Sequence, residues 1–169
     1  SGRQFIPDQT GQVWVVKNGV KQATPFLDLS SEIASLSNGA GQPLGLKASY
    51  DERGLLGMAF DPGFNDANSP GFHKVYVYNS SPVNGTSDFP LAGATLDHQG
   101  ALSSFTIDPN NPDRVDPASR VQIMRWDEPQ SNHNGGEITF GPDGNLYIGL
   151  GDGGGQFDSS SNGHNATIG

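Results

Sequence analysis

The sequence predicts an all-β chain whose hairpins repeat in the manner of a β-propeller, and three observations carry that prediction. Short runs enriched in β-branched and aromatic residues recur between clusters of Gly, Pro, Asn and Asp, the pattern of strands separated by turns. One strand–turn–strand unit occurs more than once: Phe5-Ile6-Pro7-Asp8 ahead of Gly11-Gln12-Val13-Trp14-Val15 matches Phe140-Gly141-Pro142-Asp143 ahead of Gly144-Asn145-Leu146-Tyr147-Ile148. Phe60-Asp61-Pro62-Gly63 is a looser third copy that reaches its partner strand after a longer connection. The composition agrees, because 24 Gly and 12 Pro with 33% hydrophobic residues describe a turn-rich chain of short elements and not a helical bundle.

In chain order, strands are expected at 4–6 and Gln12–Lys17, on either side of the first Pro/Asp/Gly turn. Segment 30–36 is the one helical pattern, with Ser30 as N-cap and Glu32 in the first turn. Leu55–Phe60 is an apolar run flanked by glycines and reads as a buried inner strand, followed by strands at 74–78 and 101–107. Between Pro82 and Gly100 the composition is that of a loop inserted into a blade. Asp108-Pro109-Asn110-Asn111-Pro112-Asp113 reads as a rigid inter-strand turn ahead of a strand at 120–126. Strands at 137–140 and Leu146–Leu150 flank the last hairpin turn.

Propeller blades take roughly 40–50 residues apiece and a ring needs about four or more of them, so 169 residues with insertions hold two or three blades. The closing Thr167-Ile168-Gly169 offers no last strand. Residues 1–169 are therefore expected to be the N-terminal portion of one propeller domain, incomplete at both ends. Its open strand edges would be covered by the remainder of the propeller or by another chain.

The charge balance excludes several partner classes. Eighteen acidic against nine basic side chains give a net charge of -9, and the nine are scattered along the chain, so nucleic acid and anionic membrane are poor partners. No apolar run approaches the roughly 18 residues that a spanning helix needs, and membrane insertion is not expected. The absence of cysteine removes disulfides, thiolate metal sites and thiol catalysis together. Asn-x-Ser/Thr sequons begin at Asn79, Asn84 and Asn165 and bear on the protein only if it is secreted from a eukaryotic cell.

Two segments carry candidate chemistry. Glu52-Arg53 precedes the apolar Gly54-Leu55-Leu56-Gly57-Met58-Ala59-Phe60 strand, which by itself reads as a solvated charged pair before a core strand. Ser131-Asn132-His133-Asn134-Gly135-Gly136-Glu137 leads through Gly141-Pro142-Asp143-Gly144 to Gly151-Asp152-Gly153-Gly154-Gly155. The turn at 142–145 folds the chain back, so His133 and Asp152 should meet at one end of a hairpin. A carboxylate beside an imidazole fixes its tautomer and stabilises the imidazolium, as a general base requires; a plain hydrogen bond between two loops has the same spacing.

Asp152, Asp158 and the carbonyls of 153–155 could hold calcium, which accepts loop oxygens, against the alternative of a simple flexible loop. His73, His98 and His164 lack a carboxylate at suitable spacing and are expected on the surface. The glycine run at 153–155 is not a phosphate loop, since neither Lys-Ser/Thr nor a helix follows it.

The segments 52–62, 133–137, 141–144 and 151–154, with the strand at 74–78 between the first two, resemble in the same order the sequence blocks of the glucose/sorbosone dehydrogenase family. Gly2-Arg3-Gln4-Phe5 and Gly11-Gln12-Val13-Trp14-Val15 are similar to its first blade, so the likeness covers nearly the whole chain. The resemblance implies a six-bladed propeller with its site at one mouth of the channel. In enzymes of the family, pyrroloquinoline quinone (PQQ) lies there with calcium nearby, and a sugar, an aldose, is oxidised at its anomeric carbon. It implies His133 as the base that removes the anomeric hydroxyl proton, Asp152 as its support, and Glu52, Arg53 and Asn134 as cofactor-facing positions. Glu52 departs from the glutamine often found there, and a carboxylate facing a tricarboxylate disfavours binding unless neutralised, for instance by Arg53. The family's basic quinone-clamping residues belong to later blades.

Two functions follow as expectations. The first is an extracytoplasmic, periplasmic or secreted, quinone-dependent sugar dehydrogenase with His133 and Asp152 as catalytic pair. The second is a non-enzymatic extracellular propeller used for binding or assembly, in which the same glycines serve only to build hairpins.

Overall fold

The computed structural model describes residues 2–36 and 51–154. Over these the chain forms ten strands and one short helix: β1 Arg3–Pro7, β2 Gln12–Lys17, β3 Val20–Lys21, β4 Leu27–Asp28, α1 Ser30–Ala34, β5 Leu55–Phe60, β6 Lys74–Ser81, β7 His98–Asp108, β8 Asn111–Glu128, β9 Gly135–Phe140 and β10 Leu146–Leu150. Every expected strand is present, several of them longer than expected.

The strands build three successive antiparallel sheets. The first pairs β1 with β2, and both β3 and β4 lie on the other side of β2. The second is the four-stranded meander β5-β6-β7-β8, and the third is the hairpin β9–β10. The edge strand β5 packs against both β1 and β9, so the leading strands of the three units stand side by side. This is the blade arrangement of a propeller, here two fuller blades and the start of another.

Burial explains the stacking. Val13 and Val15, alternating on β2, join Phe26, Leu55, Val75, Val77 and Phe105 in a core between the first and second sheets. Phe5 stands edge-on to Phe26 at 4.9 Å and to Phe60 at 4.8 Å, closing that core with aromatic contacts. Tyr78, Leu102, Trp126 and Ile138 form a second core between the middle sheet and β9–β10. Strand β5 serves both, because Met58 and Phe60 pack on the first and Leu56 and Ala59 on the second. The approach of β5 to β9 depends on glycine, since a Cβ at Gly57 would lie 2.0 Å from the Gly136 carbonyl oxygen.

The repeated Pro/Asp/Gly turns share a device. The Asp61 carboxylate accepts the Gly63 N–H at 2.8 Å and the Tyr76 hydroxyl at 2.9 Å. Asp143 accepts the Asn145 N–H at 3.1 Å and the Tyr147 hydroxyl at 2.9 Å. Asp8 takes the Thr10 N–H at 2.8 Å. Each aspartate thus ties its own turn, and in two copies the returning strand adds a tyrosine.

Some expectations are corrected. The helix ends at Ala34, and its N-cap is Leu29 instead of Ser30, with the Asp28 carboxylate accepting the Ser30 N–H at 2.9 Å. The turn at the start of 108–113 is confined to Pro109 and Asn110, and Asn111 already belongs to β8. Pro112 and Pro117 sit within this strand, which prolines tolerate because β8 is the outer edge of its sheet. Asn79 is fully buried in β6 whereas Asn84 is exposed in the loop after it. Asn165, Asp158, His164 and the carbonyl of Gly155 lie outside the described residues, as does the chain's end. No helix among the described residues is long and apolar enough to cross a membrane.

Candidate functional site

The β9–β10 hairpin sets the site. Its register pairs Leu146 with Phe140 and Ile148 with Ile138, then slips so that Leu150 faces Gly135. The residues flanking the two strands therefore arrive together, and His133 Nδ1 lies 2.7 Å from Asp152 Oδ1. Both side chains are partly open to solvent, at 42% and 37% exposed.

The backbone around His133 is unusual and heavily held. His133 has φ 59°, a left-handed conformation that costs a non-glycine residue on the order of 1 kcal/mol. Its N–H donates to Glu52 Oε2 at 2.5 Å, and its carbonyl accepts the Gly153 N–H at 3.2 Å. The next carbonyl, of Asn134, accepts the Tyr78 hydroxyl. Gly151 could be no other residue, because a Cβ there would fall 1.6 Å from the His133 carbonyl oxygen.

Electrostatics favour a charged Asp152. The Gly154 N–H, at 3.1 Å, and the His133 ring hold its carboxyl below the usual aspartate range. An ionised Asp152 places the imidazole proton on Nδ1, leaving the Nε2 lone pair to accept a proton.

The remaining predicted residues take up different positions. Glu52 is at the site, bound to the backbone of His133. Asn134 is buried beneath it, its side-chain N–H donating to the Ser131 carbonyl at 3.1 Å and its Oδ1 without a hydrogen-bond partner among the described residues. Arg53 is only 1% exposed, with ion pairs to Asp51 at 2.7 Å and Asp97 at 2.9 Å. Burial alone would lower its guanidinium, but these two carboxylates outweigh that and raise it. Its charge is thus matched inside the fold instead of being presented to a ligand.

Sequence reasoning missed a buried polar layer at this end of the blade. His98, expected on the surface, is 1% exposed and its Nδ1 lies 3.0 Å from Asp97. Burial holds its imidazole below the ordinary range despite Asp97. Glu128, opposite His98 in the β7–β8 register, accepts the Trp126 indole N–H at 2.9 Å. Burial pushes its carboxyl up to about 8; the indole N–H works against this, while nearby Asp152, Asp127 and Asp97 add to it. The adjacent Asp97-His98 pair was the available signal, but nothing local to Tyr78 or Glu128 announces which way they face. Among the described residues no group of three or more acidic, His or Cys side chains is arranged to hold a metal ion. The calcium set Asp152, Asp158 and 153–155 lies partly outside them.

Comparison with known proteins matches this architecture. A crystal structure from Thermus thermophilus, provisionally assigned as an oxidoreductase of the glucose dehydrogenase kind, superposes with a TM-score of 0.53 at 21% identity, covering 89% of this chain and 34% of its own. That likeness is one of fold. Mouse Hedgehog-interacting protein is 32% identical over 154 residues, covering 90% of this chain and 19% of the relative. The human protein of that name matches to the same extent. HIPL2 protein of Arabidopsis thaliana is 28% identical over 188 residues, covering 94% of this chain and 25% of its own length. The chain thus spans a quarter or less of these relatives. The Glucose / Sorbosone dehydrogenase family profile matches residues 1–169, and the chain belongs to that family.

Proposed function

We propose that the His133–Asp152 end of this propeller is the base-bearing part of a quinone-dependent sugar dehydrogenase site, in a protein that works outside the cytoplasm and oxidises an aldose at its anomeric carbon. The observation that carries the reading is the 2.7 Å contact between a solvent-accessible imidazole and a carboxylate at one end of the blade. His133 Nε2 takes the anomeric hydroxyl proton, and the imidazolium so formed is stabilised by Asp152 at Nδ1. When bound, pyrroloquinoline quinone would supply the two-electron acceptor.

The described residues suit the base but not the cofactor's grip. Arg53 is the one Lys or Arg in segments 51–54, 131–136 and 149–154, and it is buried against Asp51 and Asp97. A tricarboxylate therefore finds no exposed cation on these segments, and the Glu52 carboxylate stands among them. Among the described residues these three segments offer the quinone no clamp, and on this reading the clamp comes from elsewhere in the polypeptide.

A second reading is favoured by the 32% identity to Hedgehog-interacting protein: a propeller used for extracellular binding, with His133 as a contact residue. Reconstitution of the intact polypeptide with quinone and calcium, followed by dye reduction over an aldose panel, separates the two. The enzyme reading expects turnover that His133→Ala lowers by roughly 10²-fold or more and Asp152→Asn lowers less. An absence of turnover with every aldose favours the binding reading, whereas a fully active His133→Ala variant would refute His133 as the base.

A further inference from the structure

We propose that Tyr78 and Glu52 are positioning residues that lock the His133 peptide in its left-handed conformation and so keep the imidazole on Asp152. This rests on His133 being the working group of the site. A non-glycine residue at φ 59° persists only where its surroundings over-determine it. Here the hairpin supplies two of the restraints, the Gly153 N–H on the His133 carbonyl and the Asp152 carboxylate on the ring. The other two come from the neighbouring sheet. Glu52, in the lead into β5, accepts the His133 N–H. Tyr78, on β6, reaches 56 positions along the chain to donate to the Asn134 carbonyl.

Tyr78 is itself immobilised. Its side chain is buried, and its ring stands edge-on to Trp126 with centroids 4.8 Å apart at an interplanar angle of 77°. Burial with Glu128 nearby raises the phenol far above its ordinary range, so the hydroxyl keeps its proton and remains a donor. The Asn134 carbonyl is the acceptor that satisfies this buried hydroxyl, and the bond lies one residue from His133. The strained peptide is thereby fastened to a blade that does not carry it.

Ring nitrogen-15 shifts of His133 in the intact, quinone-free polypeptide test this, because they report the tautomer directly and need no turnover. Tyr78→Phe keeps the packing on Trp126 and removes only the donor; Glu52→Ala removes the acceptor, and Glu52→Gln retains an amide oxygen in its place. The expected result is a shift from the Nδ1–H tautomer toward a mixture in Tyr78→Phe and Glu52→Ala, with Glu52→Gln close to wild type. In a catalytically active preparation, kcat falls about tenfold in the first two variants while KM is little changed. Wild-type ring shifts in both Tyr78→Phe and Glu52→Ala, in folded protein, overturn the proposal. Disturbed shifts without turnover in the parent protein uphold the positioning role and overturn the dehydrogenase reading instead.

Discussion

Replacing Glu128 by glutamine removes a titrating proton from the interior while leaving an oxygen to accept the Trp126 indole N–H. The wild-type side chain is 1% exposed and its carboxyl is pushed up to about 8, whereas in the unfolded chain it returns to 4.5. Between those values the folded protein holds a proton that the unfolded chain releases. This contribution to stability is present below pH 4.5 and is lost as pH rises through 8. His98 works in the opposite sense below its ordinary value of 6.5, because its buried ring is depressed and resists protonation. The clean window is therefore pH 6.5 to 8, where the loss from Glu128 amounts to about 2 kcal/mol. Urea unfolding of the intact polypeptide at the two pH values, followed by the fluorescence of buried Trp126, measures it. Wild type should lose that amount of stability across the window and Glu128→Gln should lose almost none. Equal pH slopes in the two proteins would refute the argument, since the carboxyl would then not be held neutral by the fold.

The other predictions concern the frame of the site. Arg53→Met strips the cation from Asp51 and Asp97 and should lower stability by about 3 kcal/mol, read as a fall in the urea midpoint; a loss below about 1 kcal/mol would mean that the ion pairs do not organise this turn. Gly57→Ala drives a methyl group against the Gly136 carbonyl and should lower stability by about 2 kcal/mol, visible in thermal unfolding, because β5 and β9 have to separate. Gly144→Ala meets nothing within 4 Å and should cost only the backbone strain of φ 80°, about 1 kcal/mol. Similar losses in the two glycine variants would argue against close packing between the blades.

The hairpins were legible because their information is local. Alternating apolar residues and Pro/Asp/Gly turns lie within a few positions of one another, and a tight turn fixes which residues of its flanks meet. That is why the meeting of His133 and Asp152 could be anticipated from spacing. The two-residue strands β3 and β4 were not anticipated, since so short a run has no period to read and exists only because β2 offers unpaired backbone. The first half of β8 was hidden by its prolines, which are admissible only on an edge, and being an edge is a property of the sheet.

Charge and burial at the site belonged to the tertiary structure. Arg53, His98 and Glu128 have the composition of solvated residues and are buried because blades close over them, a packing that their neighbours in the sequence do not announce. Tyr78 reads in sequence as one apolar position of a strand, yet its hydroxyl reaches the loop of the next blade. The sequence by itself determined the all-β hairpin architecture and the His–Asp pairing, because neighbouring residues specify a turn. Which charges are matched, which proton is retained and what holds His133 in place were decided by packing between sheets, whose contacts join residues tens of positions apart.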